Sequence, residues 1–180
     1  MRVIAGKARG IRLQAPKGQR VRPTLDRVRE SLFNILGPRL PGARFLDLFA
    51  GTGANGIEAL SRGAEHCAFV DDDVRSLRII RANLETVRLA QAAEVFRYSL
   101  PSGLARVGAE PGYDIVFADP PYDFKKYDAL LDGLSQHHLL QGGGIVVIEH
   151  DAQTALPDGC GPLRLDRQTR YGDTRLSFYA

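Results

Sequence analysis

From residue 44 onward, short apolar runs alternate with amphipathic stretches, and this alternation leaves few architectures open. The runs are 44–50, 66–71, 94–99, 113–119 and 144–150. Between them, 55–63, 73–88 and 126–140 place apolar residues at helical spacing. In 73–88 the inward positions read as Val74, Leu77, Ile80 or Arg81, Leu84 and Val87. A strand that is apolar along its whole length is buried on both faces, as in a parallel sheet covered by crossover helices. Residues 162–180 read differently, as two strands joined by a turn near Tyr171-Gly172-Asp173. The expected fold is therefore α/β: a single Rossmann-like, doubly wound, mostly parallel sheet. A C-terminal antiparallel hairpin extends one edge, and ligands are expected outside the carboxyl ends of the strands.

Residues 1–43 are set apart from this body, residues 44–180, by pattern and by charge. Residues 2–14 read as two short strands around a Gly/Lys/Arg turn, and 16–23 as a proline- and glycine-broken loop. A helix follows, with Thr24 as its expected N-cap and Leu25, Val28, Leu32 and Ile35 or Leu36 at helical spacing; Gly37-Pro38 stops it. Residues 1–44 carry eleven Lys/Arg against two Asp/Glu, whereas the other 136 carry thirteen against nineteen. The net charge of +3 thus hides a basic hairpin-plus-helix extension on an acidic body. Segregated positive charge points to a polyanion partner, and a nucleic acid backbone is the common one.

At 180 residues the chain can bury one good core but not two ordinary ones. No apolar run approaches the roughly 20 residues of a membrane span, and no apolar stretch follows the basic N-terminus. Cys67 and Cys160 are expected as free thiols in a reducing cytoplasm. The four histidines have no metal-ligand spacing, so no metal site is expected.

Gly51-Thr52-Gly53-Ala54-Asn55-Gly56 follows the first apolar strand and opens a helix, and Asp71 ends the next strand. In a nicotinamide enzyme this pattern would hold a pyrophosphate and a ribose. Asp47 argues against that, because a carboxylate beside the loop repels a pyrophosphate. It suits the ammonium and sulfonium of S-adenosylmethionine. Glycines let the backbone approach such a ligand closely. The expected cofactor residues are Asp47, Phe49, Ala50, Gly51, Gly53 and Asp71. Asp71 would receive the ribose hydroxyls. Asp72 is expected to share that task or to begin the next helix.

Asp119-Pro120-Pro121-Tyr122 stands at the end of the fourth strand. Two prolines stiffen the backbone and delete two N–H donors. The Asp119 carboxylate and the Pro120 carbonyl remain as fixed acceptors. They match the two hydrogens of an exocyclic amine on a nucleic-acid base, with the Tyr122 ring as a stacking surface. A glycine loop after the first strand and this corner after the fourth together indicate amino-methyl transfer from S-adenosylmethionine. Which base is methylated stays open on these residues alone.

The whole chain resembles the bacterial RsmD family of 16S ribosomal RNA (guanine-N2)-methyltransferases. The resemblance is carried by Arg2-Val-Ile-Ala-Gly6, by the run from Arg22-Pro-Thr to Leu32-Phe-Asn34, by Phe45 to Gly53 and by Asp119 to Tyr122. It implies a class I methyltransferase domain that methylates the N2 amine of one guanine in the small ribosomal subunit or its assembly intermediate. It further implies S-adenosylmethionine as cofactor, S-adenosylhomocysteine as product, a cytoplasmic location and action as a monomer. Arg20, Arg22, Thr24, Arg27 and Arg29 are the expected RNA-contacting positions. Similar enzymes often bind the adenine amine with Asp after the third strand. Ser99 stands there in this chain, so backbone groups near Ser99 and Leu100 are the expected contacts. The alternatives are a DNA adenine-N6 methyltransferase and a non-catalytic RNA-binding protein with a vestigial pocket.

Overall fold

The computed structural model describes residues 1–16, 23–108 and 110–180, with side chains of the first helix described from Arg27 onward. Its strands are β1 (Arg44–Leu48), β2 (His66–Asp71), β3 (Ala93–Arg97), β4 (Tyr113–Ala118), β5 (Leu140–Asp151), β6 (Gly159–Cys160), β7 (Leu163–Tyr171) and β8 (Thr174–Tyr179). The helices are α1 (Pro23–Leu36), α2 (Ala54–Ser61), α3 (Val74–Thr86) and α4 (Tyr127–Gln136). Among the described residues they form one sheet in the order β3-β2-β1-β4-β5-β8-β7-β6. The first five strands pair in parallel, and β8 joins β5 antiparallel. The strand order reverses direction at β1, so a crevice opens between the ends of β1 and β4.

Both faces of the sheet are covered, which explains the unbroken apolar strands. Alternate residues supply the two faces. Phe45, Phe69, Phe117 and Val147 pack with α1, α2 and α3. Leu46, Leu48, Val116 and Ile148 pack with α4. In α3 the buried positions are Leu77, Ile80, Asn83 and Leu84. Val74, expected to face inward, is exposed, since it lies in the first turn, just after the capping Asp73. Among the described residues no helix is long and apolar enough to cross a membrane.

The N-terminal segment is stitched into this core. Val3, Ala8 and Leu13 share one buried cluster with Phe45 and Phe69. The two short strands expected here are reduced to one Arg2–Arg12 bridge flanked by hairpin bonds, Val3 N to Ile11 O, Gly10 N to Val3 O and Leu13 N to Met1 O. The donors between Val3 and Gly10 turn elsewhere. Ile4 N and Ala5 N donate to the buried Glu58 carboxylate, at 2.7 and 3.0 Å. Lys7 N donates to Ser61 O, and Ala8 N to Ser61 Oγ. These bonds dock the tip of the hairpin on α2 and keep its strands short. Beyond this, Asn83 accepts from Gln14 N and donates to Gln14 O and Thr52 O, joining the segment to the glycine loop. The following helix opens on Pro23, one residue ahead of the expected Thr24 cap; a fixed φ suits proline to a first helical position.

Gly6 is the residue this docking cannot exchange. Its φ is +80°, and a Cβ there would lie 1.9 Å from the Ser61 carbonyl oxygen. Gly6→Ala is therefore expected to lower unfolding stability by about 2 kcal/mol or more. A shift of the urea midpoint to lower concentration, with an unchanged slope, checks this.

Candidate active site

The glycine loop is held by two carboxylates. Asp47 accepts from Gly56 N at 2.8 Å, capping the first turn of α2. Asp71 accepts from Gly51 N at 2.8 Å through one oxygen and from Asp73 N at 2.9 Å through the other. Phe49, Gly51 and Gly53 all adopt positive φ, at 57°, 56° and 74°. This folds the chain sharply between β1 and α2. A Cβ on Gly51 would meet nothing nearer than 3.9 Å, so that backbone is open to a close ligand. Ala50 is buried and packs beneath the loop.

The expected cofactor residues fall into two groups. Asp71, Asp72, Ser99 and Leu100 gather at the ends of β2 and β3. Ser99 Oγ donates to Asp72 at 3.3 Å, and each Asp71 oxygen keeps a further lone pair for a hydroxyl donor. The helix-start role considered for Asp72 belongs to Asp73, whose side chain accepts from Arg75 N. Asp47 departs from expectation. It is only 1% exposed, so it faces the loop and not an open surface. Burial raises its carboxyl well above the usual range, against the lowering effect of the Gly56 N–H. The structure gives it the task of shaping the loop.

Asp119, Pro120, Pro121 and Tyr122 line a cavity of about 880 Å³. Asp119 N donates to Leu48 O, and Phe124 N to Pro121 O, so the corner is fixed on both sides. Asp119 opens onto the cavity, but the surrounding protein restricts its hydration and pushes its carboxyl up to about 6. The Tyr122 ring is 85% exposed, and its hydroxyl donates to Asp151 at 2.6 Å. That bond raises the Tyr122 phenol and lowers the Asp151 carboxyl. The ring is tethered yet leaves its surface available for stacking.

Three contributors escaped the sequence reading. Glu149 lines the same cavity; burial, then the nearby Asp119 charge, pushes it up to about 8. Phe124 stands edge-on to Phe49 at 5.2 Å and to Tyr127 at 5.1 Å. This aromatic chain joins the glycine loop to the cavity wall. Glu149 had a visible signal: Ile145 to Ile148 is unbroken apolar strand, and a carboxylate follows at its carboxyl end, as Asp119 follows Ala118.

The basic residues divide as well. Arg27 is exposed on α1. Arg29, expected at RNA, is 7% exposed and donates to Arg2 O at 2.8 Å. It lies on the helix face shared with Leu32 and Phe33 and tethers the N-terminal segment. Arg20, Arg22 and the side chain of Thr24 lie outside the described residues. The turn after β7 comes close to this helix, as Tyr171 Oη meets Ser31 Oγ.

A sequence family described as "Conserved hypothetical protein 95" matches residues 1–180. The chain belongs to this family. It is the family that the resemblance to RsmD indicated. One member, "Putative rRNA methyltransferase YlbH" of Bacillus subtilis (strain 168), is 44% identical over 180 residues, covering 99% of this chain and 98% of that protein. "Ribosomal RNA small subunit methyltransferase D" of Escherichia coli (strain K12) is 34% identical over 179 residues, covering 99% and 89%. Among solved structures, "Putative methyltransferase yhhF from Escherichia coli" superimposes with a TM-score of 0.86 at 34% identity, covering 99% and 96%.

The raised Glu149 carboxyl has a consequence for stability. Unfolded, a glutamate ionises near pH ~4.3, whereas folded Glu149 keeps its proton to about 8. The folded state therefore binds more protons in that window, and stability falls as pH rises through it. Urea unfolding at pH 5 and pH 8 is expected to show a smaller loss for Glu149→Gln than for the parent protein. Equal losses would contradict the assignment.

Proposed function

We propose that this protein transfers a methyl group from S-adenosylmethionine to the exocyclic N2 amine of a guanine in 16S ribosomal RNA. The observation that carries this reading is the Asp119-Pro-Pro-Tyr122 corner, which lines a cavity and is bonded through Asp119 N to Leu48 O, at the strand end where the glycine loop begins. The ribosomal substrate is supported by the names of two relatives, "Putative rRNA methyltransferase YlbH" and "Ribosomal RNA small subunit methyltransferase D", and by the basic residues 1–44. The small subunit or its assembly intermediate is the target, in the cytoplasm, and the protein acts as a monomer.

The residues at the loop fit such a cofactor. The open backbone at Gly51 admits close approach, Asp71 retains lone pairs for the ribose, and the Ser99–Leu100 backbone borders the adenine end. Asp47 acts by holding the loop that makes these contacts. When bound, the cofactor supplies a methyl group on a positively charged sulfur. The protein's part is orientation, which is worth several kcal/mol in a displacement of this kind.

The Asp119 carboxylate and Pro120 carbonyl accept the two amine hydrogens and aim the nitrogen lone pair toward the loop. Hydrogen bonds of this kind favour a pyramidal nitrogen over one conjugated with the ring. Tyr122 stacks against the base once it is turned out of the RNA, because a buried amine cannot reach the site. Asp119, near 6, is ionised at neutral pH and can take the proton that the amine sheds. On the RNA side, Arg27 and the arginines at 20 and 22 bind phosphates; Arg29 stays inside the fold.

Asp119→Ala is expected to abolish transfer of labelled methyl to small subunits from a strain lacking the enzyme, with cofactor affinity by calorimetry within a few-fold of the parent. Undiminished turnover would remove Asp119 from the reaction.

A further inference from the structure

The cavity holds a second carboxylate that the reaction as described does not use. In the parallel pair of β4 and β5, Phe117 aligns with Val147 and Ala118 with Ile148. The next residues on each strand are Asp119 and Glu149. Neighbouring residues in parallel register point to the same side, about 4.8 Å apart. Both line the same cavity, and each lies close enough for the Asp119 charge to act on Glu149. Two like charges so placed repel, so near neutral pH Asp119 is ionised while Glu149 keeps its proton.

A guanine edge offers what this pair lacks. It presents three N–H donors side by side: two on the N2 amine and one on the adjacent ring nitrogen N1. Asp119 and Pro120 O account for the amine hydrogens in the proposed reaction. The N1–H is then left for a third acceptor beside them. Adenine carries a lone pair at N1 and would bring it against a carboxylate oxygen. Cytosine likewise carries a lone pair on the ring nitrogen beside its amine.

We infer that Glu149 accepts the N1–H of the target guanine and so selects guanine over other amine-bearing bases. This rests on the guanine-N2 reading above and adds to it a specificity-determining residue. Burial, then the Asp119 charge, raises Glu149. A ligand N–H is the partner that would favour its carboxylate form. Of the other polar groups around the cavity, Asp151 accepts from Tyr122 and from Gln153 N, His150 bonds Ser177 Oγ and Asp151 O, and Arg170 Nε donates to Gly172 O.

The test uses the full-length enzyme and small subunits assembled on 16S RNA ligated to carry either guanosine or 2-aminopurine at the methylated nucleotide. 2-Aminopurine keeps the amine but has a lone pair at N1. The readout is the ratio of kcat/KM for the two substrates within each variant. This ratio cancels differences in folded fraction, and comparison across variants cancels the missing O6. The parent enzyme is expected to favour guanosine by about tenfold or more, as one well-placed base contact gives. Glu149→Gln, whose amide can donate to a bare N1, is expected to bring the ratio toward one. Glu149→Ala is expected to lower turnover of guanosine and leave that of 2-aminopurine nearly unchanged. The same ratio in all three proteins would overturn the role of Glu149. If the parent methylates neither substrate at the amine, the guanine-N2 reading itself fails, whatever Glu149 does.

Discussion

Three strands held in one register determine where the chemistry can occur. Leu48, Ala118 and Ile148 align across β1, β4 and β5; β1 and β4 end there, while β5 runs on to Asp151 paired with β8. The next residues, Phe49, Asp119 and Glu149, therefore lie side by side at the carboxyl end of the parallel strands. A slip of one residue would turn each side chain to the opposite face and put Leu48 or Ile148 in the cavity. The double-sided apolar core prevents that slip, since Phe45, Phe117 and Val147 fill one face while Leu46, Val116 and Ile148 fill the other.

Carboxylates recur at this edge with different tasks, and environment decides which is which. Asp47 is buried and bound to a backbone N–H, so it serves the loop. Asp71 spends one lone pair of each oxygen on the backbone and keeps the others. Asp119 and Glu149 face a cavity and carry raised pKa values, as expected of groups that meet a ligand and not a fixed structural partner. The N-terminal segment takes part indirectly. Through Asn83 it is hydrogen-bonded to the same loop that Asp47 and Asp71 hold, which ties the basic end of the chain to the cofactor side.

Much of this was legible in the sequence. The strand–helix alternation gave the sheet, the hairpin and the two motifs, because burial on both faces leaves a pattern along the chain. What was not legible involved partners distant in sequence. The segment 2–14 makes hairpin bonds, yet the donors at Ile4, Ala5, Lys7 and Ala8 go to Glu58 and Ser61, some fifty residues away. Arg29 looks like the exposed Arg27 in the same basic run, but helical phase turns it inward. Asp47 suggested a ligand contact, and only the position of Gly56 N shows that the loop claims it. Glu149 was missed because its significance lies in alignment with Asp119, thirty residues earlier.

The central claim is that a proline-stiffened set of acceptors at the end of β4 holds a purine amine facing the glycine loop. A crystal structure with S-adenosylhomocysteine and an RNA fragment containing the methylated guanosine tests it most directly. The account predicts the N2 amine within hydrogen-bonding distance of both the Asp119 carboxylate and the Pro120 carbonyl, on the side facing the cofactor sulfur. A base bound elsewhere in the cavity, with its amine turned away from Asp119, would contradict it.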